Sequence, residues 1–583
     1  MTALAVSTAV STAVSTVVAS GRFELVNVRQ QSLRMAKSRV LWVVFGFTTV
    51  AAAALARIAV LGLFADAPRN TDVFASLLPQ RADIVDRNGV PLARAFPAYS
   101  LWYNPAALDG DGPPLVRSPR AVAEALARIF PDLNVAETET RLAAGKPGYL
   151  RRRILPEDAN KVHELGEPAL EFPRETERFY PQGSMGAHVL GFVGADGHGH
   201  VGMEEVFDKR LTDPAQRGIP AALSIDTRVQ GALEDELLKG MTDSAAKGAA
   251  GIVLDVDTGE VLALASLPSF NPNLIDRAGE ANIFNRVTNQ VYELGSTFKP
   301  ITVAAAIDAG TVTDLARRYP ANRPIEIGGF RIRDSHDLGA SLNVPQSLVQ
   351  SSNIVTALIA DELGGAQLNA TMRALGMNER PYIELPARGF PLWPKGDWSR
   401  ITTMTVSYGH GIAVTPLHLA SAYAALVNGG VWRPATLQKV QPGVEVPGRR
   451  VFKASTSARM RQLLRMIVDV GTGKKANAAG YRVGGKTGSA EKPGVGGYQR
   501  SNLVATFAAA FPMDHPRYVV IAMLDEPRGT AATSGQRTAA WNAAPVIGRV
   551  IPRIGPLLGV MPDDSRDVDI TDIAPLVGYG DGE

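Results

Sequence analysis

Residues 292–307 read Tyr-Glu-Leu-Gly-Ser-Thr-Phe-Lys-Pro-Ile-Thr-Val-Ala-Ala-Ala-Ile, and from Pro300 onward the run has good helical periodicity. A helix opened by Ser296 puts Lys299 three residues on and on the same face, with about 5–6 Å between Cβ atoms. A serine hydroxyl is a weak nucleophile until a neighbouring base takes its proton, and an ammonium ion cannot do that. Lys299 must therefore be buried, or stand near another cation, for its pKa to fall from about 10.4 towards neutrality. A helix N-terminus also aims backbone N–H groups at the serine, which suits the oxyanion formed when it attacks a carbonyl. Ser-x-x-Lys alone is a weak signal, because both residue types are common.

Two later elements give the pair partners: Ser351-Ser352-Asn353 and Lys486-Thr487-Gly488-Ser489. Together their serine, asparagine, lysine and threonine side chains can supply a proton relay, an amide clamp on a peptide backbone and a cationic site for a carboxylate. The bland alternative is that Ser351 and Asn353 only cap a helix. Lys486 also has a rival reading, since Gly480-Tyr-Arg-Val-Gly-Gly-Lys-Thr487 satisfies the phosphate-loop pattern. Such a loop must open a helix, and Gly488 to Gly497, with Pro493 and several glycines, is unsuited to one. Ser335-His336-Asp337 cannot be a hydrolase triad, because consecutive residues cannot converge on one another, and it reads as a polar turn. Gly471-Thr-Gly-Lys-Lys475 reads as a turn before a helix, with its lysines solvated. His188, His198 and His200 share a glycine-rich loop but lack the spacing of a metal-ligand set, so neither metal nor other cofactor is expected.

Outward from these motifs the pattern is strands, then helices, then strands. Ile252 to Asp257 and Val261 to Ala265 flank Thr258-Gly259 as a hairpin. Helical stretches follow, up to two late strands at Leu503–Phe511 and Tyr518–Asp525. Towards the N-terminus, Arg81 to Ala93 alternates around Asn88-Gly89, a strong hairpin signal that opens a β-rich module, and short helices are expected from Arg120 to Leu170. The expected fold class is α+β and multidomain: a single N-terminal transmembrane helix, an elongated β-rich pedestal, and a domain with an antiparallel sheet covered by helices. The expected boundaries are 1–39 for a cytoplasmic tail, 40–64 for the anchor, 65–215 for the pedestal, 216–560 for the catalytic domain and 561–583 for a loose acidic tail.

A chain of 583 residues, 45% apolar, is too long for one core. Its 60 basic and 57 acidic residues nearly balance, which gives no reason to invoke nucleic acid, and the absence of cysteine removes disulfides, thiol nucleophiles and thiolate metal sites. Val40 to Phe64 carries Arg57 as its only charge and, at about 37 Å as a helix, is long enough to cross a bilayer. Arg22, Arg29, Arg34, Lys37 and Arg39 precede it against Glu24, so the N-terminus is expected in the cytoplasm and everything after Phe64 outside. Ala65-Asp66-Ala67 resembles a small-residue cleavage site, but the apolar run is too long for a signal and Pro68 would follow the cut, so the anchor reads as uncleaved. The Ala-Val-Ser-Thr repeat of residues 5–16 is low complexity without an assigned role. An exported site also weakens the phosphate-loop reading, because nucleoside triphosphate is scarce there.

The three motifs in this order resemble the class B penicillin-binding proteins, and within them the division-specific FtsI type. The likeness extends to Asp83-Ile-Val-Asp-Arg-Asn-Gly89, Tyr180-Pro-Gln-Gly183, Gly202 to Asp208, Leu223-Ser-Ile-Asp226 with Gln230, and Ser407-Tyr-Gly-His-Gly411 leading to Thr415-Pro416. It implies a penicillin-binding, β-lactamase-like fold and a peptidoglycan D,D-transpeptidase of the septum. On that resemblance Ser296 attacks the penultimate D-alanine carbonyl of a pentapeptide stem and Lys299 accepts its proton. Ser351 relays a proton to the departing D-alanine, Asn353 bonds the donor backbone, Lys486, Thr487 and Ser489 bind its carboxylate with Gly488 part of the same substrate-binding stretch, and the backbone N–H groups of Ser296 and Ser489 form the oxyanion hole. Implied partners are stem peptides and their lipid-linked precursor, β-lactams as covalent inhibitors, and the division proteins FtsW, FtsN and the FtsQLB complex. Departures from the family pattern are Leu294 for proline, Ser489 for threonine and Ala82 for glycine. The alternatives are an elongation-type transpeptidase, a D,D-carboxypeptidase or β-lactamase in which water resolves the acyl-enzyme, and a non-catalytic β-lactam sensor or division scaffold.

Overall fold

The computed structural model describes residues 25–64, 80–107, 114–194, 196–494 and 497–578. The Ala-Val-Ser-Thr repeat and the Ala65-Asp66-Ala67 stretch lie outside them. Two compact units divide the chain between Leu78 and Pro79.

In the first unit, Leu25–Phe64 is one continuous helix (α1) that includes all of the expected 40–64 span. Its segment Ala36–Arg57 has a mean hydropathy of 1.8, and none of it is buried against other parts of the chain. A helix of that length with apolar side chains on every face suits a bilayer, where all backbone hydrogen bonds must be made internally. Its length and composition fit a membrane anchor.

The second unit opens with the expected hairpin. Ile84–Val85 (β1) pairs antiparallel with Pro91–Tyr103 (β2), and Asp86 Oδ1 accepts the N–H groups of Asn88 and Val90 at 2.8 Å across a turn in which Gly89 takes φ +84°. β2 also pairs with Gly148–Ile154 (β3), Leu170–Glu171 (β4) and Arg174–Phe179 (β5). Helices at Pro119–Ile129, Val135–Ala143 and Pro156–His163 close one side over Leu101, Tyr103, Leu126, Phe130, Leu142 and Ile154. Strand β3 interrupts the helical stretch expected from Arg120 to Leu170. Its sequence, Gly-Tyr-Leu-Arg-Arg-Arg-Ile, has no apolar alternation, and it is a strand because β2 pairs with it.

β1 also pairs in parallel with Ala221–Ala222 (β6), which leads into the second half of the unit. There Gly248–Asp255 (β7), Val261–Leu267 (β8), Gly484–Gly494 (β9), Gly497–Phe511 (β10) and Tyr518–Asp525 (β11) form an antiparallel sheet in the order β8–β7–β11–β10–β9. Side chains alternate between two cores. Val253, Val520 and Phe507 pack with Leu233 and Leu237 of Thr227–Asp243 (α2) and Val546 and Ile547 of Ala543–Ile554 (α7). Ile252, Ile521 and Ala508 pack on the other face with Ile301 of Lys299–Asp308 (α3), Tyr423 of Pro416–Val427 (α5) and Ile467 of Ala454–Asp469 (α6). With both faces covered, Tyr518–Asp525 is buried at every position, so it reads as a continuous apolar run rather than an alternating one. This is the α+β architecture expected, and β9 lies at the sheet edge nearest the motif residues.

The stretch after 560, expected as a loose acidic tail, is instead held along α6. Asp567 pairs with Arg465, Asp572 pairs with Arg459, and Ile573 is 1% exposed. The acids of the tail match the basic face of α6, a pairing between segments about a hundred residues apart that composition alone does not reveal.

Candidate active site

Ser296 stands in a single 3-10 turn, Gly295–Phe298, and Lys299 is the first residue of α3, so the serine precedes the helix instead of opening it. Two close backbone approaches fix that turn. Gly488 of β9 lies so near it that a Cβ there would come within 2.3 Å of Leu294 O and 2.7 Å of Thr297 Cγ2. On the other side Gly409 O accepts the Gly295 N–H at 3.3 Å, and a Cβ on Gly409 would meet Gly295 O at 2.3 Å. The glycines of two motifs are thus required by the approach of a third segment. Tyr423 adds a bond from its hydroxyl to Thr297 O at 2.9 Å.

Ser351 is the hub of the polar cluster. Its hydroxyl oxygen lies 3.1 Å from Lys299 Nζ and 2.9 Å from Lys486 Nζ, and Lys299 Nζ also donates to its carbonyl. Ser351 holds φ +63°, a left-handed conformation that costs a non-glycine residue about 1–3 kcal/mol and that brings hydroxyl and carbonyl to the same lysine. The strained residue is kept in place from the next helix, Asn353–Leu363 (α4). At its start Asp334, from a loop earlier in the chain, accepts the Ser352 hydroxyl at 2.7 Å and the backbone N–H groups of Asn353 and Ile354. The Asn353 side chain donates to Arg333 O at 3.0 Å.

Lys299 and Lys486 are both fully buried. Burial, with the charge of Lys486 adding to it, holds the Lys299 amine well below the ordinary lysine range, and Asp334 only partly opposes this. Burial pushes Lys486 down to about 7. Both conditions expected for a basic lysine, burial and a neighbouring cation, are therefore met together. One hydroxyl between two depressed amines makes a proton path, because Ser351 can accept from an ammonium on one side while donating to a neutral amine on the other. The Ser296 hydroxyl makes no hydrogen bond to another described residue.

β9 carries the remaining motif. Lys486 Nζ reaches Thr487 O and Oγ1 at 3.2 Å, Thr487 Oγ1 donates to Thr472 Oγ1 at 3.0 Å, and Ser489 Oγ accepts the Ala539 N–H at 2.9 Å. That bond uses a lone pair of Ser489 and leaves its proton free to donate. As an edge strand β9 has backbone groups on its outer side that no neighbour pairs. A phosphate loop needs a helix here, and the structure has a strand, which ends that reading of Gly480–Thr487.

Other marked residues stay apart. His188 bonds Asn282 O, His198 faces Asp208 and His200 faces Asp196, with no metal-holding group among the described residues. The Ser335 hydroxyl bonds its neighbour His336 in an exposed turn. The sequence reading missed two contributors. Thr472 lies in a segment read only as a turn, and Asp334 had no motif around it. A lone acid or threonine has no spacing signal, and only the chain's return to Ser351 and Thr487 gives these residues a place.

A family model for the penicillin binding protein transpeptidase domain matches residues 249–546, and one for the penicillin-binding protein dimerisation domain matches residues 76–215. The chain is 39% identical over 490 residues to the probable peptidoglycan D,D-transpeptidase FtsI of Caulobacter vibrioides, covering 82% of each chain. It is 31% identical over 533 residues to the peptidoglycan D,D-transpeptidase FtsI of Escherichia coli strain K12, covering 86% of this chain and 88% of that one. It is also similar to the crystal structure of penicillin-binding protein 3 from Mycobacterium tuberculosis complexed with aztreonam, with a TM-score of 0.65, 25% identity, and 84% and 98% of the two chains covered. With two family models that together span residues 76–215 and 249–546 and relatives matched over more than four-fifths of their length, the chain belongs to the penicillin-binding protein transpeptidase family.

Proposed function

We propose that this protein is the FtsI-type peptidoglycan D,D-transpeptidase of its cell, joining stem peptides during septal wall synthesis through an acyl-enzyme on Ser296. The observation that carries the reading is the Ser351 hydroxyl set between the Lys299 and Lys486 amines, beside a serine turn wedged against β9. Ser296 attacks the penultimate D-alanine carbonyl of a donor stem. Lys299, uncharged because it is buried, takes the serine proton, and Ser351 passes a proton to the amine of the departing D-alanine. Asn353 hydrogen-bonds the donor backbone, and Lys486, Thr487 and Ser489 bind its terminal carboxylate. Gly488 lets the strand approach the serine turn, and N–H groups of Ser296 and Ser489 receive the oxyanion. A β-lactam enters the same path and stays on the serine.

In this reading residues 1–39 lie in the cytoplasm, 40–64 span the inner membrane, 65–215 form a non-catalytic pedestal and 216–560 form the periplasmic transpeptidase domain at the division septum. The pedestal would meet FtsW, FtsN and the FtsQLB complex, and the donor would come from lipid-linked precursor. The test is labelling of the full chain by a fluorescent penicillin. Stoichiometric labelling that disappears in Ser296→Ala supports the acyl-enzyme, whereas labelling that survives the substitution rejects it. Incubation with a donor stem and an amine acceptor then separates a transpeptidase, which makes the cross-linked amide, from a carboxypeptidase, which makes only truncated stem.

A further inference from the structure

The reaction proposed above leaves one proton without a destination. The attacking group of an acceptor stem is an aliphatic amine, and with a pKa near that of lysine, about 10.4, it is an ammonium ion at pH 7. An ammonium has no lone pair with which to attack an ester. To become an amide nitrogen it must lose two protons. One can return to Ser296 Oγ through Ser351 and Lys299, reversing the path used in acylation. The other needs a base on the acceptor's side of the nucleophile.

The structure places one beside the nucleophile. Gly409 and Gly295 are joined backbone to backbone, so the residues that follow them, His410 and Ser296, leave a common point. His410 Nδ1 lies 3.4 Å from Glu293 Oε2, a buried carboxylate oxygen without a hydrogen-bond partner, while Glu293 Oε1 is held by the Gly411 N–H and the Tyr498 hydroxyl, both at 3.0 Å. The imidazole is flanked by the rings of Tyr408 and Tyr498 at 5.4 and 5.5 Å, and its Nε2 bonds no other described residue. Its side chain keeps 27% of its exposure, so a ligand can reach it. Burial lowers His410 to about 4, so at neutral pH the ring carries a free lone pair. Groups with charge or protons to exchange around the ring are Glu293, Tyr408, Tyr498 and Lys299.

A cleft of about 420 Å³ adjoins this pair, lined by Val291, Glu293, Leu392, Ile412, Glu491 and Lys492 among others. Lys492 is tied to Asp525 and Glu526 at 2.8 and 2.9 Å, which leaves the carboxylates of Glu293 and Glu491 to favour a cation there. An aliphatic wall with acidic groups suits an alkyl chain ending in an ammonium.

We propose that His410, oriented by Glu293, takes the first proton from the ammonium of the acceptor stem, which lies in this cleft. The inference rests on the transpeptidase reading of Ser296. In the step, the acceptor ammonium gives one proton to His410 Nε2, and the resulting imidazolium faces Glu293. The freed nitrogen forms its bond to the acyl carbon, and the bond from that carbon to Ser296 Oγ breaks. Ser296 Oγ takes the second amine proton through Ser351 and Lys299, and His410 releases its proton to water. His410 is then a catalytic residue of the second half-reaction, and Glu293 a positioning residue that holds the ring.

The test uses the full chain in detergent micelles, a donor that acylates Ser296, and two acceptors: a stem peptide with its natural amine, and the same peptide with an aminooxy group, whose nitrogen is already neutral at pH 7. Penicillin labelling of Ser296 reports folding and acylation in every variant. His410→Gln is expected to slow amide formation with the natural amine at least about tenfold at pH 7, while the aminooxy acceptor stays within about twofold of the unsubstituted protein. Glu293→Gln is expected to give a smaller loss in the same direction. Raising the pH towards 10 is expected to close the gap, because the acceptor then loses its own proton. An equal loss with both acceptors would mean that His410 only shapes the cleft and would overturn the proposal, as would no loss with either. If the unsubstituted protein forms no acyl-enzyme on Ser296, the transpeptidase reading itself fails and takes this inference with it.

Discussion

Lys486 is a fully buried lysine whose amine meets two hydroxyls and a carbonyl but no carboxylate within hydrogen-bond reach. Keeping it in the folded protein penalises its ammonium form, which is why it falls to about 7 from an ordinary lysine value. The consequence for stability follows from proton counts. Between about pH 7 and pH 10 the unfolded chain keeps this lysine protonated while the folded chain does not, so the unfolded state binds more protons and stability rises with pH. The contribution approaches about 1.4 kcal/mol per pH unit across that window and vanishes below it, where both states are protonated. Lys486→Met is therefore expected to flatten the rise between pH 7 and pH 10, as measured by denaturant unfolding of both proteins across that range. An unchanged slope would show that Lys486 carries its charge when folded. The substituted protein is also expected to lose penicillin acylation, because Ser351 then has a proton partner on one side only.

At the scale of elements, the site is made by one turn held between two strands of backbone. Replacing Gly488 by alanine puts a methyl group within 2.3 Å of Leu294 O and 2.7 Å of Thr297 Cγ2, both parts of the Ser296 turn. Neither neighbour is the end of a flexible side chain, so the turn must move off β9. A displacement of about 1 Å at a reacting centre can reduce rate on the order of 100-fold. Gly488→Ala is thus expected to cut the second-order rate of penicillin acylation by about that factor while thermal unfolding shows that the protein still folds. Acylation at the unsubstituted rate would mean that the turn and the strand are not coupled.

The same elements show what sequence can and cannot reveal. Ser296, Lys299, Ser351 and Lys486 were found because each sits in a short motif, and their order along the chain supplied the rest. Strands β7, β8, β10 and β11 were found because they are apolar on both faces. β9 was not recognised as a strand, although its unsuitability for a helix was. Gly484–Gly494 is glycine-rich, and its glycines serve the approach of Leu294 and of Ala508 on β10 rather than any periodicity. Asp334 and Thr472 were invisible for a different reason. Their roles are contacts to Ser352 and Thr487, 18 and 15 residues away, and such contacts exist only once the chain has folded.

At the scale of the whole molecule, the pedestal and the catalytic part are joined by more than a linker. β1 pairs with β6, Asp86 accepts from the Thr227 N–H and hydroxyl, Asn88 donates to Asp226, and Lys439 donates to Arg87 O. Behind this seam is a buried ionic cluster. Glu204 has no exposed surface and takes Arg81 Nε at 2.8 Å and Arg178 Nε at 2.7 Å, while Arg81 also pairs with Asp208 at 2.6 Å and Arg178 donates to Ala82 O. The cluster ties the stretch before β1 to β5 and to the helix at Gly202–Val206. A buried pair adds little net stability over an apolar replacement of equal shape, but removing one partner leaves the others charged and desolvated. Glu204→Ala strands the Arg178 guanidinium and leaves Arg81 with Asp208 alone, and the expected loss is about 3–5 kcal/mol of unfolding free energy. Because the cluster lies in the pedestal and not at Ser296, protein that remains folded below the new transition should still label with penicillin. Denaturant unfolding of the two proteins, followed by labelling of each at low denaturant, measures both quantities. A loss under about 1 kcal/mol would mean that water or relaxation satisfies the arginines.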